Sequence, residues 1–308
     1  MAGFLFGSKM AVDYTKPPLT YQQQVELLKT RGLVVTNSAI AAKFFTQVNY
    51  YRFSAYCIPF QSAHDVFSLG ITFEKIVELY RLDEILRNDY LEMLSPIEVF
   101  LRTRIVYELS HGWGPFSHYD HSIFRTDFDH AGWIAALEEE VNRGKEDFLD
   151  HYKTKYNGFP KLPIWMACEI MSLGSLSHLY HGLLPDPQRQ ICAGLDIHNF
   201  VLQNWLHNMT YLRNICAHHS RLWNRELSIR PFIPNKNKRW VDLHLDPAHL
   251  YTSIAIAEWV YRKADLDLCN IGPVYDTMQK IAVLDPRFAA MMGGPAGKAI
   301  SLCWVVKP

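Results

Sequence analysis

Leu202, Trp205, Met209, Leu212 and Cys216 recur at steps of three and four, the spacing that lines up one face of an α-helix rather than of a strand. The same period runs through most of the chain. Behind Thr20, a suitable N-cap, Val25, Leu27 and Leu28 begin a helix that Arg31-Gly32 closes, and 38–45 starts another. Further helical stretches fall at 73–94, 96–109, 131–142, 164–181, 199–216 and 249–261. Gly112-Trp113-Gly114-Pro115, the segment 158–163, and the pair Pro185 and Pro187 mark breaks or loops between them. No alternating apolar pattern is long enough to build a sheet, and no fixed-period repeat recurs. An all-α fold is therefore predicted, with room for one small hairpin.

With 308 residues, 49% of them hydrophobic, the chain can fill a substantial core. We expect one helical domain over 16–272, an N-terminal arm over 1–15, and an extension over 273–308 packed on the domain as irregular chain or a short helix. The six cysteines, Cys57, Cys168, Cys192, Cys216, Cys269 and Cys303, form no Cys-x-x-Cys pair. That spacing argues against a zinc ribbon and against a secreted disulfide scaffold, and suggests reduced, mostly buried thiols. The apolar part of 1–10 is too short for a signal peptide, and no apolar run approaches the ~20 residues of a membrane span. A soluble cytoplasmic protein is expected, with no membrane contact and no cofactor.

Chemistry concentrates in Arg213-Asn214-Ile215-Cys216-Ala217-His218-His219. The guanidinium of Arg213 is always charged and its planar fork grips phosphate oxygens, while His218 can give or take a proton near neutral pH. Asn214 both donates and accepts, so it can orient the histidine or a phosphate. On a regular helix of ~100° per residue, Asn214 and His218 share a face, whereas Arg213 and His218 differ by about 140°. Either the arginine side chain sweeps round the helix, or the helix is distorted or ends there, so an irregularity is expected within 213–218. From Arg213 to Arg239 seven Lys/Arg face one acidic residue, Glu226, in a chain that balances 31 basic against 31 acidic residues. A phosphate-tracking surface beside the motif fits this local surplus, although a solvated basic loop would show the same run.

Other constellations carry less. Tyr50, Tyr51, Phe53, Tyr56 and Phe60 form an aromatic belt read as core, with Arg52 inside it. Arg104 and His111 could pass for a second catalytic pair, but a structural role is expected, with Arg102 or Arg104 pairing to a carboxylate such as Glu98. His64-Asp65 lacks the further ligands of a metal phosphohydrolase, and His118, Asp120, His121 and Asp129 or His130 are read as a hydrogen-bonded loop. No metal ligand set is assigned. The absence of a phosphate-cradling glycine loop and of a Gly-x-Ser-x-Gly elbow leaves nucleotide hydrolysis and esterase chemistry without support.

Lys16-Pro17-Pro18-Leu19-Thr20, the block from Gln24 to Leu33, Asn49-Tyr50-Tyr51-Arg52-Phe53-Ser54-Ala55-Tyr56, and the stretch 212–225 together resemble the abortive-infection (Abi) family of bacterial proteins, AbiD/AbiF-like. Within that family the Arg-x4-His motif belongs to the HEPN superfamily of helical ribonucleases, and Arg213 and His218 match it. The resemblance implies a multi-helix HEPN-type domain with a helical N-terminal elaboration. It also implies a phage-defence or toxin-like ribonuclease, working as a symmetric homodimer whose motifs face one another. On this basis Arg213, His218 and Asn214 are the candidate catalytic residues, and His219, Arg221, Asn224, Arg225, Arg230 and Arg52 the candidate RNA contacts. The expected partners are RNA, a second copy of the chain, and a small noncoding RNA or antitoxin as restraint. Two alternatives remain: a non-cleaving module that binds RNA or a partner, and a helical scaffold whose arginines pair internally.

Overall fold

Thr20 opens the first helix as expected. Its Oγ1 accepts from the Gln23 N–H at 3.3 Å while the Gln23 Oε1 accepts from the Thr20 N–H at 2.8 Å, a reciprocal box that satisfies amides the helix start leaves free. The computed structural model describes residues 13, 15, 17–295 and 300–303. Most of the expected arm 1–15, Lys16, and the parts 296–299 and 304–308 of the expected extension lie outside the described residues. The described chain divides into two compact units, at 1–80 and 81–308.

The first unit contains α1 (Tyr21–Thr30), α2 (Ser38–Phe45), α3 (Tyr50–Cys57) and a hairpin of β1 (Gln61–Ala63) and β2 (Val66–Phe67), followed by the start of α4 (Phe73–Trp113). Asn37 and Asn49 cap α2 and α3 through their side-chain oxygens. The small hairpin for which the pattern left room is thus present. Phe53, Tyr56 and Phe60 are fully buried, and Phe44, Phe45, Phe53 and Phe73 meet mostly edge to face at 5.2–5.9 Å. The aromatic belt is core, although Tyr51 points outward.

The second unit holds the remainder of α4, then α5 (His130–Arg143), α6 (Asp147–Lys155), α7 (Ile164–Ile170), α8 (Leu173–Gly182), α9 (Pro185–Cys192), α10 (Asn199–Ala217), α11 (Lys238–Val241), α12 (Leu250–Lys263), α13 (Gly272–Leu284) and α14 (Phe288–Met291). The fold is all-α, and several boundaries differ from those the sequence suggested. Stretches 73–94 and 96–109 form one helix that runs through Pro96. Interior proline costs about 3 kcal/mol, but Leu86, Tyr90, Met93, Ile97, Leu101, Ile105 and Leu109 stay in phase across it and are all buried. At about 1.5–3 kcal/mol for each fully buried large side chain, keeping that stripe continuous outweighs the proline.

Conversely, 164–181 is two helices, because Met171 turns extended and Ser172 caps a new start by accepting from the Ser175 N–H. The expected loop at Pro185 and Pro187 is helix α9, with proline in its first turn, where no amide hydrogen is missed. The tail forms the 13-residue α13, whose Val274, Met278 and Ile281 bury one face. Helix α6 carries Asp147, Asp150, Lys153 and Lys155, and Leu149 and Tyr152 are its buried anchors.

Helix α10 packs on α8, α9 and α12. All five residues of its apolar stripe, from Leu202 to Cys216, are buried, as their spacing predicts. Trp205, Trp240 and Trp259 form a row of tilted rings, 5.4 and 5.2 Å between successive ring centres. Three polar side chains tie α10 to the chain that follows it. Asn208 Nδ2 donates to Ile229 O at 2.7 Å, Trp205 Nε1 to Phe232 O at 2.8 Å, and Asn204 Nδ2 to Arg230 O at 3.3 Å.

Candidate functional site at the end of helix α10

Helix α10 stays regular through Ala217 and then stops in a defined way. His218 is the C-cap, its N–H donating to Asn214 O at 3.0 Å, and His219 enters the left-handed region at φ 55°. The His219 N–H donates to Cys216 O at 3.0 Å and the Ser220 N–H to Ile215 O at 2.9 Å, the paired pattern that satisfies the last free carbonyls of a helix. The irregularity expected within 213–218 is therefore the helix end itself. A left-handed conformation costs a non-glycine residue roughly 1–2 kcal/mol, and strain of this kind collects at functional sites.

Arg213, Asn214, His218 and His219 are all exposed. Among the described residues, no hydrogen bond or ion pair engages the side chains of Arg213, Asn214 or His218. Most other arginines of the second unit are committed: Arg87, Arg102, Arg104, Arg125 and Arg262 each bind a carboxylate. The site sits at the negative end of the helix dipole, away from the free N–H groups that hold anions at helix starts. Any grip on phosphate must come from side chains.

The loop leaving the helix is fastened from beneath. The buried carboxylate of Asp83 on α4 accepts the Leu222 and Trp223 N–H groups at 3.2 and 2.9 Å and the Arg87 Nη1 at 2.6 Å. Leu222 and Trp223 are themselves fully buried. Downstream, Arg225 Nε donates to Arg221 O at 2.9 Å. Arg230 pairs with Glu226 at 2.6 Å, both exposed, so little energy holds it there. The Asn224 Oδ1 is buried without a partner among the described residues.

The motif and the basic residues that follow it in sequence, Arg221, Arg225 and Arg230, lie in the second unit. Arg52 belongs to the first, where its Nε donates to the Tyr80 hydroxyl at 3.3 Å and its guanidinium lies 5.7 Å from that ring.

Tyr211 was not singled out from sequence. It precedes His218 by seven residues, within about 20° on the helix, and its hydroxyl accepts from the Ser228 N–H at 3.5 Å. Burial pushes its pKa up, but the hydrogen bonds from Ser228 and the Arg225 guanidinium outweigh this and bring it below the usual tyrosine value. The heptad step from Tyr211 to His218 was the available signal. Cys216, inside the motif, is the opposite case: burial, with Asp83 nearby, pushes its thiol up to about 12, which makes it a poor nucleophile.

The lesser constellations have structural roles. Arg102 binds Glu98 at 2.9 Å and Met171 O at 2.9 Å, and Arg104 binds Glu108 and the carbonyls of Gln190 and Ala193. Asp65 is taken by Arg31 at 2.8 Å, leaving His64 exposed. In the 118–130 loop, His130 Nε2 donates to His118 O, while Asp120 caps a single 3-10 turn and Asp129 is the N-cap of α5, accepting from the Gly132 N–H. Burial, with His130 beside it, lowers the His118 pKa to about 3. No group of three or more His, Cys, Asp or Glu among the described residues is placed to hold a metal ion.

The family model of the Abi-like proteins matches residues 43–224, more than half the chain. The chain belongs to the Abi-like protein family. The match runs from α2 to Asn224, so it includes Asp83, the whole of α10, and the loop that Asp83 holds. Membership in the Abi-like family supports a role in abortive infection. No curated protein and no solved structure matches the chain. No helix of this Abi-like protein, among the described residues, is long and apolar enough to cross a membrane.

Proposed function

We propose that this Abi-like protein is a HEPN-type endoribonuclease that works without a metal ion. The substrate's 2′-hydroxyl loses its proton and attacks the adjacent phosphorus, the bond to the 5′-oxygen breaks, and that oxygen takes up a proton. The products are a 2′,3′-cyclic phosphate and a 5′-hydroxyl end. His218 is the proton-transfer group, Arg213 neutralises the additional charge on the pentacoordinate phosphorus, and Asn214 holds the geometry. One chain offers one His218, whereas the reaction needs a base and an acid. A two-fold dimer presents the motif twice across one interface and supplies both.

His219, Arg221, Asn224, Arg225 and Arg230 border the motif and carry the flanking RNA in this reading. A free ribonuclease would harm its host, so a small noncoding RNA or a protein antitoxin is the expected restraint.

The observation that carries the reading is the uncommitted state of Arg213, Asn214 and His218 on a helix end whose following loop is clamped by Asp83. A scaffold that uses its arginines internally would have paired Arg213 as it pairs Arg102. The test is incubation of the purified protein with labelled RNA in EDTA. The wild type should yield cyclic-phosphate ends, and His218→Ala and Arg213→Ala should each slow cleavage by about 10²-fold or more. Both sites are exposed, so unfolding free energy should stay within about 0.5 kcal/mol. Cleavage by His218→Ala at the parent rate overturns the assignment. RNA that is shifted on a gel but keeps its length identifies a binding module instead.

A further inference from the structure

Beside the motif, α8 and α10 enclose a groove of about 540 Å3 that the mechanism above leaves unused. Ser177, His178 and His181 line it from α8, and Gln203, His207 and Thr210 from α10. Its walls carry imidazoles, amides and hydroxyls, and no carboxylate. Such a lining offers hydrogen bonds to an anionic ligand rich in donors and acceptors and, with no carboxylate, gives a basic peptide no charge to pair with. Burial, with Arg125 and His178 beside it, lowers the His181 pKa. A neutral imidazole there offers one donor and one acceptor, which serves a base edge or a ribose hydroxyl.

The register of α10 connects this groove to the motif. His207 and Asn214 are seven residues apart, so they differ by about 20° and lie about 10 Å apart along the axis; His218 follows about 6 Å further on. In the other direction, Phe200 precedes His207 by seven residues and falls on the same line. Its ring is 48% exposed and meets Phe232 edge to face at 5.2 Å, in a second hollow of about 610 Å3 lined also by Lys236 and His198. An exposed aromatic beside a lysine is the combination that stacks a base and holds its phosphate. Together, Phe200, His207, Asn214 and His218 mark one exposed face about 27 Å long.

We propose that this face of α10 is a track for single-stranded RNA, with the His178–His207 groove seating the nucleotides next to the cleaved linkage and Phe200 stacking on a base farther along. The position of the cut rests on the ribonuclease reading above; the track itself rests on the two hollows and the helical register. A duplex cannot present splayed bases to such a face, so single strands are the preferred substrate.

The experiment measures binding separately from cleavage, using fluorescence anisotropy with a labelled 12-nucleotide single strand and the same sequence as a duplex, on full-length His218→Ala protein. Adding His178→Ala with His207→Ala, or Phe200→Ala, should weaken single-strand binding by about tenfold. His207→Glu should weaken it further through repulsion of phosphate, and replacement of the exposed Arg143 on α5, Arg143→Ala, should leave it unchanged. Thermal melts confirm that each variant folds. Equal affinity of the groove and Phe200 variants with their parent, or tighter binding of duplex than of single strand, overturns the track. So does an absence of RNA binding, which would leave the face to a protein partner. The ribonuclease reading fails separately, if wild-type protein binds the strand in EDTA and never shortens it.

Discussion

Asp83 and Trp223 are joined by a 2.9 Å hydrogen bond from the Trp223 N–H to the Asp83 carboxylate across 140 residues of sequence. The carboxylate is fully buried and is shared with Leu222 and with Arg87, itself 3% exposed. Its partners compensate a buried charge and hold the chain five residues beyond His218.

Replacing Asp83 with alanine leaves the Arg87 guanidinium buried and unpaired. Loss of one partner of a buried pair costs about 3–5 kcal/mol, so Asp83→Ala should lower the urea midpoint markedly. Asp83→Ala combined with Arg87→Met should recover much of that loss, because no buried charge remains. If the double variant is as unstable as the single, the damage lies in the released 222–223 amides rather than in the orphaned charge.

His219 occupies a left-handed position at φ 55°. Glycine adopts that conformation without the side-chain penalty, so His219→Gly should leave stability unchanged or raise it by up to about 1 kcal/mol, and His219→Val should lower it. Equilibrium unfolding decides this. Should His219→Gly gain stability yet bind RNA less tightly, the imidazole has been retained for contact with the substrate.

Tyr211 has a lowered pKa in the folded state. For an acid lowered on folding, the linked stabilisation is present above the unfolded value of 10.0 and is lost as pH falls through the folded value. At neutral pH the phenol is protonated in both states and contributes nothing by this route. The melting temperature of Tyr211→Phe should therefore fall further behind that of the wild type as pH is raised from 8 towards ~11. An equal gap at every pH would mean that Arg225 and Ser228 stabilise no phenolate.

Cys57, Cys168, Cys192 and Cys216 are buried, and burial raises all four pKa values, Cys168 and Cys216 to about 12. Cys269 is exposed. Native protein treated with a colorimetric thiol reagent at neutral pH should show one thiol that reacts ahead of the others because it is exposed, removed by Cys269→Ser, and six in denaturant. Rapid modification of Cys216 in the native state would contradict the close packing beneath the motif.

Local chemistry was readable along the chain wherever it depended on neighbours. The cap at Thr20, the run Ser38–Phe45, the burial of Leu202 through Cys216, and the all-α class follow from spacing and from residues that satisfy free helix ends. So does the pairing of Arg102 with Glu98, one helical turn apart. Long-range packing set the rest. Local rules predict a break at Pro96 and at Pro185, yet the first is carried by a continuous buried stripe and the second begins a helix. The motif itself was legible as Arg213, Asn214 and His218, because its residue types and spacing are a local property. That Asp83 would reach the 222–223 amides, that Tyr211 would bind Arg225, and that α8 would supply two imidazoles opposite His207 could not be read there. Helix periodicity and capping depend on interactions within a few residues, and so are written in order along the chain. A buried carboxylate's partners and the walls of a groove depend on which faces pack together, and many sequences with the same periodicity would pack them differently.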